Sequence, residues 1–160
     1  MKDETPKIAF AYPTWVRPGM NVNGPFVPDI GLLTEDLPRE LSFYFSVGLI
    51  LNFSRPYSVD VNVYFEDEPL IFDNRPAVDS QMVSPAISNK GDFVSISTML
   101  MNKVKLSSEG IYKIKTILYN GVVGETEREV LDEYDCFFIA SRDWKDIIMT
   151  KSRENDGATG

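Results

Sequence analysis

The chain has 160 residues, 43% of them hydrophobic and 25% charged, which suits one globular domain with a real core. A formal net charge of −8 argues against an electrostatic grip on nucleic acid or on anionic lipid, since both need clustered Lys and Arg. With no histidine and a single cysteine, Cys136, the chain lacks the parts for a Ser-His-Asp triad, a Cys-His pair, a His- or Cys-built zinc site or an internal disulfide.

The N-terminal residues MKDETPK are polar and no apolar leader follows them, so a soluble, cytoplasmic protein is expected. Lys7–Tyr12 alternates, with Ile8, Phe10 and Tyr12 on one side, and predicts a first strand ended by Pro13. From Pro13 to Pro38 the prolines at 13, 18, 25, 28 and 38 are interleaved with Gly19, Gly24 and Gly31, and no period survives. So long an irregular connection is uncommon in compact domains and is often functional. Its apolar residues, among them Trp15, Met20 and Phe26, argue that it packs across the body of the fold, adding a short edge strand.

Leu41–Phe53 and Ser58–Glu66 both alternate at period two, the signature of strands with one buried and one solvated face. Arg55-Pro56 between them is a turn signal, so the pair reads as a long hairpin. The uncharged run Leu41–Ser54 is too short to span a membrane. Glu66–Pro69 reads as a turn, Leu70–Phe72 as a short returning strand and Asp73–Gly91 as a loop. Phe93–Leu106 is extended, with Val94, Ile96, Leu100, Val104 and Leu106 on one parity. Ile111–Tyr119 alternates and stops at Asn120-Gly121, a strong hairpin signal, and Val130–Ala140 is the best part of the returning arm. Asp143–Met149 can also be read as a short helix. Residues 1–142 thus read as one antiparallel two-sheet β-sandwich of about seven or eight strands, with the 13–38 loop inside it and 143–160 as a polar tail.

The segment Leu106–Tyr119, LSSEGIYKIKTILY, resembles the corner where an immunoglobulin-like sandwich crosses between its sheets. The resemblance covers Leu106, Gly110, Tyr112 and the strand after them. It implies that the Tyr112 ring packs inside while its hydroxyl bonds to backbone a few residues upstream, a fastening role and not a catalytic one. The intersheet disulfide and the central-strand tryptophan of antibody domains are both missing, so the likeness is to the superfold alone.

No phosphate-binding loop or dinucleotide fingerprint occurs. The Asn52-Phe53-Ser54 sequon is read as accidental without a secretion signal. Cys136, beside Phe137 and Phe138, reads as a buried, inert thiol, and Lys113 and Lys115 as partners for acidic neighbours across the sheet. The acidic run with Glu125, Glu127 and Glu129 reads as a charged edge that discourages aggregation, or as a docking strip for a basic partner. Joined to Glu66, Asp67 and Glu68, it would make a calcium site of the C2 type, and the chain a calcium- or lipid-binding sandwich. A carboxylate-based hydrolase is a further alternative, though 24 acidic residues make some suitable pair inevitable. The reading that fits best is a non-enzymatic protein-interaction or self-association module with no cofactor, in type resembling many small bacterial and phage accessory proteins. Its candidate contacts are Trp15, Arg17, Met20 and Phe26 on the proline-rich loop and Glu125, Glu127 and Glu129 on the acidic strip, with Trp15 and its neighbours alternatively capping the core.

Overall fold

The computed structural model describes residues 6–21, 23–52, 56–71, 78–84, 91–121 and 128–142, the segment 78–84 by its backbone only. Among them are nine strands: β1 (Lys7–Trp15), β2 (Gly31–Leu33), β3 (Arg39–Asn52), β4 (Tyr57–Phe65), β5 (Glu68–Pro69), β6 (Val78–Ser84), β7 (Asp92–Leu106), β8 (Gly110–Asn120) and β9 (Glu129–Ser141). They form two packed sheets, ordered β1-β3-β7-β6 and β2-β9-β8-β4-β5. Every pairing is antiparallel except β2 on β9, which is parallel and so extends the second sheet beyond its last long strand. The protein is an all-β sandwich. No helix long and apolar enough to cross a membrane occurs among the described residues.

The core lies where alternation from both sheets converges. Phe43, Phe45, Val47, Met99 and Met101 come from the first sheet, and Val63, Tyr112, Ile114, Leu118 and Phe138 from the second; all are at most 4% exposed. The aromatic rings interlock there: Trp15 meets Phe43 and Phe138 edge-on at 5.8 and 5.2 Å, and Phe138 stacks on Tyr112 at 5.1 Å. Tyr112 also stacks on Phe65 at 4.6 Å, and its hydroxyl donates to the Ser108 carbonyl at 2.7 Å. Gly110 enters β8 with φ +145°, and a Cβ there would lie 2.9 Å from the Phe65 ring, so the turn needs glycine at that point.

Several sequence expectations are corrected. β3 and β4 do not form a hairpin; they belong to different sheets, because one-sided alternation specifies a buried face but not a neighbour. The stretch expected as loop, Asp73–Gly91, contains β6, which pairs with β7. The first strand continues through Pro13 to Trp15, as β1 is an edge strand where a missing N–H is tolerated. An irregularity between Ile8 and Phe10 turns Phe10 and Tyr12 outward, leaving Ile8, Ala11 and Trp15 inside. A second one sets Leu41 opposite Val104 but Phe43 opposite Met101, adding one residue to β7. Lys103 takes φ 52° there, and its N–H is held by the Ser42 hydroxyl at 3.0 Å. Before this bulge β7 buries Ser95, Ser97, Met99 and Met101; after it, Val104 and Leu106. The single parity expected for Val94, Ile96 and Leu100 together with Val104 and Leu106 is therefore split between two faces.

Candidate functional site

The proline-rich excursion is tied down at both ends. Arg17 grips Asp29 through two hydrogen bonds, 2.9 and 2.6 Å, and the Trp15 N–H donates to the same carboxylate at 2.8 Å. Burial pushes the Asp29 carboxyl up, but the hydrogen bonds from Arg17 and Trp15, with the Arg17 charge, outweigh it and hold the group below its ordinary value. The Trp15 indole N–H donates to the Gly31 carbonyl at 2.8 Å, Tyr12 bonds the Phe26 carbonyl and Thr14 that of Val27. The excursion folds back over the outer face of the first sheet, where Phe26 meets Tyr44 at 5.1 Å. Phe10 lies on Gly48 of the same face, and the Ser46 and Thr98 hydroxyls bond one another at 3.0 Å.

These contacts change the candidate list. Trp15 is a core residue, wedged between the sheets with its only polar atom satisfied, and is not available to a partner. Arg17 is exposed but committed to Asp29, while Met20 and Phe26 are half-buried. Glu125 and Glu127 lie outside the described residues. Glu129 is exposed and opposes Asn120, at the far end of β8 from the Glu66–Glu68 turn. The strand from Lys113 to Asn120 separates them, about 23 Å at roughly 3.3 Å per residue, so Glu129 and that turn cannot share one calcium ion. Among the described residues no group of three metal-ligating side chains converges. Cys136 is half-buried, and burial first, then the neighbouring Asp135 charge, push its thiol up to about 12. It is protonated and unreactive at neutral pH.

The feature the sequence reading missed is on the outer face of the second sheet. Tyr112, Ile114, Thr116 and Leu118 are wholly buried, which turns Ile111, Lys113, Lys115 and Ile117 outward. Phe138 and Ala140 point in, so Phe137 and Ile139 point out beside them. The register sets Ile111 opposite Ile139, Lys113 opposite Phe137 and Lys115 opposite Asp135. On β2, Gly31 stands beside Ile139 and leaves open space where a side chain would stand, and Leu33 lies one step further along, opposite Ser141. Ile111, Phe137, Ile139 and Leu33 are 64, 53, 48 and 53% exposed. Lys113 lies over the Tyr64 ring at 5.3 Å, and Lys115 reaches Glu133 at 3.7 Å, the balancing of acidic neighbours expected of it. A signal was present: Phe137-Phe138-Ile139-Ala140 is apolar on both parities, in a strand whose outer face should be polar. At the other end of the same face Arg128 packs on Tyr119 and pairs with Asp60 at 2.7 Å.

This end of the face is exposed and apolar, bordered by Lys113, Lys115, Glu133 and Asp135. No protein-family model matches the chain, and no curated protein matches it.

Proposed function

We propose that this chain is an immunoglobulin-like sandwich acting as a non-enzymatic interaction or assembly module, and that the outer face of the second sheet is its contact surface. The superfold reading is supported by the strand order. β1-β3-β7-β6 corresponds to the A-B-E-D sheet of that architecture and β9-β8-β4 to G-F-C, with Tyr112 at the start of the F-equivalent strand.

One observation carries the functional reading: the exposed apolar residues Ile111, Phe137, Ile139 and Leu33 share one face of one sheet. Scattered surface leucines need no explanation, but four exposed apolar side chains at one end of a sheet face, beside charged residues, have the make-up of an interface. The test is affinity capture from native lysate with the wild-type chain and with Phe137→Asp and Ile139→Asp. Loss of the captured set in both variants at unchanged melting temperature supports the reading; an identical set in all three removes it.

A further inference from the structure

We infer that the occupant of this face is a second copy of the same chain, packed about a two-fold axis that runs parallel to the strands between β8 and β9. The inference rests on reading this face as an interaction surface. What singles out a second copy is the pattern of residues across the two strands.

A two-fold axis lying in the contact plane, along the strands and midway between β8 and β9, keeps each residue at its own level and exchanges the two strands. Each cross-strand pair within one chain then becomes a pair between chains. Ile111 meets Ile139 of the other copy, Lys113 meets Phe137, and Lys115 meets Asp135, each contact occurring twice. Apolar groups face apolar groups, the lysine stem covers an aromatic ring, and opposite charges meet. The face is therefore complementary to itself. An axis perpendicular to the strands at the middle of β8 would reverse the levels and set Ile111 and Ile139 against the end carrying Asp60 and Arg128.

The face is small. Its three long strands, β4, β8 and β9, about 4.8 Å apart and taken along a strand as long as β8, give roughly 500 Å², below the ~800 Å² per partner of a standard interface, so the dimer is weak and concentration-dependent. At the next level Ile117 would face Glu133, an unmatched pair. Packed sheets cross at about 30°, so the faces splay apart with distance from their closest approach, and contact centred on the Ile111–Ile139 end tapers off here.

The experiment is light scattering over a micromolar concentration series, with charge exchange at the Lys115–Asp135 level. The wild-type chain should show twice the chain mass at high concentration. Lys115→Asp and Asp135→Lys should each shift the dissociation constant at least tenfold toward monomer, because each sets like charges together in both symmetric contacts. Mixing the two variants, or combining both changes in one chain, should restore the dimer. Zero-length carbodiimide cross-linking of mixed isotopically light and heavy wild-type chains should join Lys115 of one copy to Asp135 of the other. A wild-type chain that stays monomeric overturns the inference, as does a dimer that neither mixing nor the double exchange restores. With a monomer, the lysate comparison decides the rest: capture lost in Phe137→Asp leaves the face a surface for another protein, and capture retained removes that reading too.

Discussion

Two buried hydroxyls, one unpartnered and one satisfied, make opposite predictions. Thr116 is fully buried in β8, and its Oγ1 has no hydrogen-bond partner among the described residues. Desolvating a hydroxyl without a compensating bond is costly, so Thr116→Val should raise stability by about 1 kcal/mol in denaturant unfolding. Tyr112 is equally buried, but its hydroxyl donates to the Ser108 carbonyl. Tyr112→Phe removes that bond while keeping the ring stacking, so it should cost about 1 kcal/mol. Equal effects from the two substitutions would mean that the Ser108 contact is not the fastener described. Both residues sit on the inward parity of β8, and together they fix which side chains of that strand face out.

At the scale of elements, the proline-rich excursion depends on one carboxylate. Asp29 is held below its ordinary value, so its contribution is present above the unfolded-state value of about 3.9 and is lost as pH falls through the lower folded one. Protonation releases Arg17 and the Trp15 N–H together. Hydrogen exchange should therefore show the excursion loosening in the acid range below about pH 4, and Asp29→Asn should produce similar loosening at neutral pH. Unaltered protection in the variant would show that the backbone bonds suffice. The inward Tyr112 with its hydroxyl on upstream backbone, and the alternation of β3, were legible in the sequence because each is a local pattern with a single physical cause. The hairpin reading failed because Leu41–Phe53 and Ser58–Glu66 state only that each has a buried face. The bulges near Ala9 and at Lys103 were hidden for a different reason: an added residue reverses parity without leaving a compositional mark, since neither Ala nor Lys is a turn residue. Trp15 reads from the sequence as a loop residue, either a contact or a cap on the core, because the strand is ended at Pro13, two residues early. The contact face was half legible, in the doubly apolar run around Phe137, but seeing it required knowing that β8 supplies Ile111 at the same level.

On the scale of the whole molecule, the sandwich is closed by contacts remote in sequence. Gly31–Leu33 pairs with Ile139–Ser141, and Trp15 packs on Phe138. Such topology folds slowly, because loop closure must precede the contacts that reward it. With Trp144 replaced by Phe, Trp15 is the sole indole, and its change in fluorescence on refolding should coincide with the last phase seen by circular dichroism. A tryptophan signal completed ahead of that phase would contradict this order. The parallel clamp of β2 on β9 also has a meaning for a chain made from its N-terminus. On the ribosome β1 and β3 emerge first and can pair at once, yet Phe43, Phe45 and Val47 wait for β8 and β9 to cover them. Residues near position 31 must remain unpaired until position 141 has been synthesised and has cleared the exit tunnel. During that interval the nascent protein is a half-sheet with a bare apolar side, open to aggregation until β8 and β9 cover it.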